Sequence, residues 1–157
     1  MYLIIPFFLF YGCEIWGYFN TLTARFRNES FPLDTVYSKI ECEKLHIKFC
    51  KRVLGVYQKS TNFAVLSELG RFPIHYQIIK QMLGYWHRLE NLESSFPLLK
   101  AAYNSSKKLF ILKKPSWYGS IHYIKEKIPG LEKYLSYNSS NFKQHCKKII
   151  KDRYILW

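Results

Sequence analysis

The chain has 157 residues, of which 48% are hydrophobic and 18% aromatic, so it can bury a core of its own and is not an intrinsically disordered protein. Lys and Arg number 24 against 11 Asp and Glu, which gives a formal charge of +13. An excess of this size predicts a polyanionic partner, either nucleic acid or an anionic membrane surface, because each neutralised phosphate releases bound counterions.

The amino end carries an apolar run, Tyr2 to Tyr11, and the first 24 residues contain no Lys or Arg. A membrane-spanning helix needs roughly 20 apolar residues, so the run is too short to cross a bilayer. It also lacks the basic flank of a signal peptide. We expect it to be a buried helix or a strand–helix junction. The alternative is a membrane-associated helical protein with an apolar anchor over Tyr2 to Tyr18.

An amphipathic helix is predicted from about Val36 to Leu54, after a loop over Asn20 to Asp34 and before Gly55 as its C-terminal cap. Its apolar stripe consists of Val36, Ile40, Ile47, Cys50 and Leu54. A second face carries four cations, Lys44, Lys48, Lys51 and Arg52. That face is either a solvated helix surface or a set of phosphate contacts, and the charge pattern alone does not choose between them.

Two more helices follow the basic one. A short helix through Leu69 is predicted, with Ser60, Thr61 or Asn62 as its N-cap and Gly70 at its end. Pro73 is expected in the first turn of a long helix, where proline is favoured. The apolar stripe of this long helix is Ile74, Ile78, Met82, Tyr85 and Leu89, widened by Trp86.

The carboxyl half shows three more helical patterns. They cover Phe96 to Leu112, Trp117 to Lys127 with Ser116 as N-cap, and Phe142 to Tyr154. The first should face the core through Leu98, Leu99, Ala102 and Tyr103, and the last is a second basic surface. No long alternating run requires a sheet. We therefore predict an all-α fold, a single helical domain of six or seven helices over residues 1–157.

The sequence contains no pattern of residues that predicts catalysis, a cofactor or a small-molecule substrate. Its four cysteines, Cys13, Cys42, Cys50 and Cys146, are predicted to be buried free thiols. Cys42, His46 and Cys50 share a helix face, but successive turns of one helix rarely supply three tetrahedral zinc ligands, so we expect them to face the core. His75, His87 and His122 are predicted to be surface or interface residues of amphipathic helices.

Aromatic residues are interleaved with cations at Tyr85 to Arg88 and at Lys114 to Tyr118. Such rings can stack on bases or ribose when they are exposed. At helical spacing most of them should belong to the core, and only a minority should contact nucleic acid.

Four short groups of residues carry a family resemblance. They are YGCEIWG (Tyr11–Gly17), HIKFCK (His46–Lys51) with LGV (Leu54–Val56), ELGRFP (Glu68–Pro73), and GYW (Gly84–Trp86) with Arg88-Leu89. In this order and rough spacing they resemble the segment that follows the reverse-transcriptase palm in non-LTR (LINE-like) retrotransposons. The resemblance covers roughly Leu9 to Leu89, and Cys13 departs from it because a small residue such as Ser is expected there.

The resemblance implies a helical, thumb-like segment over residues 1–90, which packs beside a template–primer duplex. Residues 91–157 are a downstream helical region, predicted from the apolar periodicity alone, and they contain no motif of the family. On the basis of the resemblance, Lys44, Lys48, Lys51 and Arg52 would contact phosphates of RNA or DNA without reading sequence. Arg71 and Arg88, which lie within the matching groups, are further nucleic-acid-binding candidates. Glu68, Arg71 and Pro73 would also fix the angle between two helices.

The family's catalytic aspartates lie in the palm, upstream of the YGCEIWG group. We therefore expect this chain to be a non-catalytic piece of a retrotransposon polyprotein, with the palm and fingers as its protein partners. Packing against a palm would account for the uncharged amino end. The expected location is intracellular, nuclear or cytoplasmic.

Overall fold

The computed structural model describes residues 11–16, 41–92, 96–127, 141–142 and 144–149. These residues form helices joined by turns and contain no strand, so the predicted all-α single domain is confirmed. The helices are α1 (Cys13–Trp16), α2 (Glu41–Leu54), α3 (Asn62–Glu68), α4 (Ile74–Glu90), α5 (Pro97–Ile111) and α6 (Trp117–Lys127). Residues 141–142 and 144–149 are also helical.

Several predictions lie outside the described residues. They concern the apolar run over residues 2–10, the loop over 20–34, the first turn of the basic helix over 36–40 and the end of the last helix over 150–154. The described helices include none that is long and apolar enough to cross a membrane.

Two glycines end α2 and α3 as predicted, each in the left-handed region, with φ +64° at Gly55 and +58° at Gly70. After α2, the Val56 N–H donates to the Lys51 carbonyl (3.1 Å) and the Gly55 N–H donates to the Arg52 carbonyl (3.2 Å). The same pair of bonds follows α3. Both turns are therefore Schellman caps, which satisfy the last carbonyls of the helix.

The N-cap residues of α3, α4 and α6 differ from one another. Ser116 caps α6 as predicted, because its Oγ accepts the Gly119 N–H at 3.1 Å. The N-cap of α3 is Thr61, one of the three predicted residues, although its side chain makes no capping hydrogen bond. Pro73 lies at the N-cap of α4, one residue before the helix begins, and not in its first turn as predicted.

Helix α4 is the centre of the main core. The predicted stripe residues Ile74, Ile78, Met82 and Leu89 are buried, as is Trp86, and Tyr85 is half-buried. Ile79 and Leu83 are buried as well, so the buried face is wider than the sequence stripe. The other buried members of this core are Cys13, Tyr103, Ile121, Ile124, Phe142 and Cys146, which brings both halves of the chain into one cluster.

Two hydrogen bonds attach α1 to the body of the domain. The Cys13 thiol donates to Gln81 Oε1 on α4 (2.6 Å), and the Trp117 indole N–H on α6 donates to the carbonyl of Glu14 (2.8 Å). Burial, with Glu14 nearby, raises the pKa of the Cys13 thiol to about 12, so the thiol keeps its proton. The short helix is thus held from two sides.

Helix α5 uses a different face from the one predicted. Tyr103 is buried, but Leu98 is 87% exposed and Ala102 is also exposed. The face turned towards the domain consists of Leu99, Tyr103, Ser106 and Phe110, at helical steps of four, three and four. The prediction of a core-facing Leu98 and Ala102 is wrong because they lie one position away from that face.

Glu90 joins the end of α4 to α5. Its Oε1 accepts hydrogen bonds from Tyr103 OH (2.6 Å) and from the Trp86 indole N–H (3.3 Å), and Lys107 Nζ donates to Oε2 (3.2 Å). Burial alone would raise the pKa of the Glu90 carboxyl, but the bonds from Tyr103 and Lys107 outweigh it, and the pKa lies below its ordinary value.

A second, smaller core lies between α2 and α3. Its buried residues are Ile47, Cys50, Val65 and Leu66, with Leu54 and Leu69 packed at its edge. It fixes the basic helix against the short one, and this arrangement creates the groove described below.

Helix α5 ends in a third Schellman turn, which has lysine where the other two turns have glycine. Lys113 has φ +56°, and the Lys114 N–H donates to the Leu109 carbonyl (2.9 Å). A side chain in the left-handed region costs about 1–2 kcal/mol, part of which glycine recovers. We expect Lys113→Gly to raise the free energy of unfolding by up to about 1 kcal/mol, measured by urea denaturation followed by circular dichroism.

Lys113→Ala is the matched control, because it removes the same charge but keeps the Cβ atom. It should give no gain. If alanine stabilised the protein as much as glycine, charge rather than backbone conformation would be responsible, and this prediction would be wrong.

Candidate nucleic-acid interface

A groove of about 620 Å³ opens between α2, α3 and the start of α4. We name it the basic groove. Lysine and arginine side chains of α2 line one side, and side chains of the 56–63 segment line the other. The residues that line it are Glu43, Lys44, Ile47, Lys48, Lys51, Arg52, Val56, Gln58, Asn62, Phe63, Leu66, Pro73 and His75.

The structure brings four of the predicted site residues together in this groove: Lys44, Lys48, Lys51 and Arg52. Two of them have local partners, since Lys44 Nζ lies 2.6 Å from Glu41 Oε1 and Lys51 Nζ donates to the Gln58 carbonyl at 2.7 Å. Lys48 and Arg52 are exposed, and neither has an ion-pair partner within the described ranges. These two cations are therefore the ones available to an incoming anion.

Glu43 contributes the only carboxyl group among the groove-lining side chains of the described chain, and it is only 5% exposed. Its Oε2 accepts the backbone N–H of His75 (3.0 Å) and lies 3.2 Å from His75 Nδ1. In the part of the chain that the structure describes, no hydrogen-bond donor reaches Glu43 Oε1. Oxygen Oε2 of this carboxyl group thus holds α2 against the start of α4.

The groove also has an apolar side. Ile47 and Leu66 are buried beneath it, whereas Phe63 is 60% exposed and Val56 is also exposed. Within the described residues Phe63 makes no contact with another aromatic ring. A large apolar ring is thus left open to solvent beside four cations.

The other two predicted binding residues lie away from the groove. Arg71 is half-buried in the turn before α4, and its charge acts on His46 and Cys50. Arg88 is exposed, and its guanidinium lies 4.8 Å from the centre of the Tyr85 ring. It follows groove-lining His75 by thirteen residues of α4, which places it about 20 Å further along the helix axis.

Two histidines contradict the predicted surface role. His75 and His87 are each 4% exposed. His75 pairs with Glu43, and His87 stacks on Phe142 with the ring centres 4.3 Å apart. Each imidazole ring is buried because α4 packs there against another helix, which supplies Glu43 to His75 and Phe142 to His87. Helical spacing within α4 does not predict these contacts with distant residues. His122 is partly exposed and lies 3.5 Å from Glu126.

The cysteine and histidine face of α2 is turned inward. Cys50 is fully buried in the smaller core, His46 is buried, and half-buried Cys42 packs against the larger core. Cys50 Sγ lies 3.7 Å from His46 Nε2. Burial lowers the pKa of His46 and raises that of Cys50, so the pair is neutral and not a thiolate–imidazolium nucleophile.

All four cysteines are free, and Cys13, Cys50 and Cys146 are buried as predicted, whereas Cys42 is only half-buried. No group of three or more His, Cys, Asp or Glu residues in the described ranges is arranged to hold a metal ion.

The aromatic residues interleaved with cations belong mostly to the core. Trp86 is buried, and half-buried Trp117 packs edge-on against Tyr85 (5.5 Å) and Tyr103 (6.3 Å). The exposed ring of the groove, Phe63, was not among the rings that the sequence pointed to. The sequence did not indicate that Phe63 is exposed, because an isolated phenylalanine in a short helix usually packs inward.

Comparisons of the chain with protein-family models, with curated proteins and with solved structures find no match.

Glu43 is the second residue that the sequence analysis missed. It lies on the apolar stripe of α2, four residues before Ile47 and seven before Cys50. A carboxylate among buried apolar residues indicates a buried polar contact. We expect Glu43→Ala to lower the free energy of unfolding by about 1–3 kcal/mol, because it removes the buried hydrogen bond between Glu43 Oε2 and the His75 amide. Urea denaturation measures the loss.

Glu41→Ala is the matched control. Glu41 carries the same charge in the same helix turn, but it is exposed, and its ion pair is with exposed Lys44. The control should change the free energy of unfolding by no more than about 0.5 kcal/mol. Equal losses from both variants would contradict the bridging role of Glu43.

Proposed function

We propose that this chain binds the sugar–phosphate backbone of nucleic acid through the basic groove, without sequence selectivity and without catalysis of its own. One observation carries the proposal: the structure places Lys44, Lys48, Lys51 and Arg52 along one groove, with Lys48 and Arg52 unpaired in the described part of the chain. The net charge of +13 supports a polyanionic partner.

The spacing of the cations suits a nucleic-acid strand. Lys44 and Arg52 are eight residues apart on α2, so their Cα atoms are separated by about 12 Å along the helix axis. Successive phosphates advance about 3.4 Å per nucleotide along one strand of B-DNA. The row of cations therefore extends over about three to four nucleotide steps, measured along the duplex axis.

Contacts of this kind position a nucleic acid without reading it. Lysine ammonium groups act as point charges towards phosphate oxygens, and these oxygens are the same for every base. RNA and DNA share these contacts as well. Binding should consequently be non-specific and strongly weakened by salt.

The family resemblance suggests in which larger protein this binding takes place. We propose that the chain is a thumb-like segment of a non-LTR retrotransposon reverse transcriptase, which holds the template–primer duplex beside the palm. The palm and fingers would then be its protein partners, and the cell nucleus or cytoplasm its location. The ordered residue groups support this assignment, and the groove is lined in part by Lys48 and Lys51 of the second group and by Pro73 of the third.

The test measures the binding of the full chain to a fluorescently labelled primer–template duplex. Fluorescence anisotropy gives the association constant K at a series of salt concentrations. We expect tight binding at low salt and a linear fall of log K with log salt. Each phosphate contact contributes roughly 0.9 to the slope, so the double variant Lys48→Ala, Arg52→Ala should reduce it by nearly 2.

The matched control is Lys100→Ala with Lys108→Ala. Both lysines are exposed on α5, outside the groove, and the control removes the same two charges. Its slope should stay close to that of the unaltered chain. Absence of binding at low salt would overturn the proposal, and equal loss in both double variants would overturn the role of the groove.

A further inference from the structure

We infer that the basic groove takes an unpaired nucleotide, with the base stacked on Phe63 and the flanking phosphates held by Lys48 and Arg52. This inference rests on the proposed function and deepens it, since it names the form of nucleic acid that the groove accepts. Phe63, Lys48 and Arg52 all line the same groove.

The exposure of Phe63 is the first argument. The ring is 60% exposed although α3 buries Val65 and Leu66 in the smaller core. Keeping an aromatic ring in water forgoes the stabilisation that burial would give. An exposed aromatic ring beside cations is the usual means by which proteins bind single strands, because every base offers a face to stack on.

The second argument is access to the base. Inside a duplex both faces of a base are covered by its neighbours, so a ring inside a groove can stack only on a base that is unpaired or at an end. The groove volume of about 620 Å³ is within the roughly 300–1,000 Å³ common for small-ligand sites. A groove of this size holds one nucleotide, such as one in the unpaired template strand of a primer–template.

The distribution of charge gives the orientation. The cations lie on α2, whereas the side that carries Phe63 also contributes exposed Val56 and no charged group. The unpartnered oxygen of Glu43 would repel a phosphate oxygen that entered more deeply. Phosphates are therefore directed to Lys48 and Arg52, and the apolar side receives the base.

The experiment compares the binding of two labelled single strands, one with bases and one abasic. Each strand is about twelve nucleotides long, a length within the roughly 4–16 nucleotides common for such sites. Both carry the same phosphates. The full chain should bind the strand with bases at least about fivefold more tightly, as one stacked base predicts. Phe63→Ala should remove this preference and leave the affinity for the abasic strand unchanged.

Two further variants separate stacking from other effects. Phe63→Leu keeps apolar bulk on α3 but lacks an aromatic face, and it should also lose the preference. Phe96→Ala is the matched control, since Phe96 is 59% exposed and lies outside the groove. It should keep the preference in full. Circular dichroism checks that each variant has the helix content of the unaltered chain.

The outcomes are distinguishable. Binding of neither strand, with no binding of the primer–template duplex either, would overturn the proposed function and this inference together. Binding of the duplex but of neither single strand would overturn the inference alone. Equal binding of both strands, or loss of the preference in Phe96→Ala as well, would overturn the inference alone. If the acidic copolymer poly(Glu,Tyr) displaced the strand with bases as effectively as unlabelled strand does, the groove would be an acidic-peptide site, and the inference would also fail.

Discussion

The contact between Glu43 and the first turn of α4 is the constraint on which the rest of the structure depends. Pro73, at the N-cap, has no side-chain acceptor for the amides that follow it. The acceptor comes instead from α2, through Glu43 Oε2 and the His75 N–H. One carboxyl group therefore fixes the angle between the basic helix and the long central helix, and a helix capped by a distant residue cannot move independently of it.

The groove follows from this constraint together with the smaller core. Ile47 and Cys50 of α2 pack on Val65 and Leu66 of α3, and each of the two helices ends in a Schellman turn. The apolar face of α2 is fully used by these contacts, so its cations must lie on the open side. The cations and the packing residues of α2 thus occupy different faces of one helix.

The sequence predicted the helices well because their determinants are local. Glycine at a C-cap, Ser116 at an N-cap and the period of apolar residues in α4 act within one or two turns. It failed where a distant partner decides the outcome. The burial of His87 depends on Phe142, and that of His75 depends on Glu43. For the groove, the four cations of α2 were found by helical spacing, but Phe63 required the position of α3.

The separation of faces on α2 has an evolutionary consequence. Lys48 and Arg52 are exposed and bear no packing role in the described structure, so their replacement should hardly affect folding. Glu43, Gly55 and Gly70 set the architecture and do not offer a cation to a ligand. Selection could therefore change the charge of the groove through a few surface codons while the helical framework persisted unchanged.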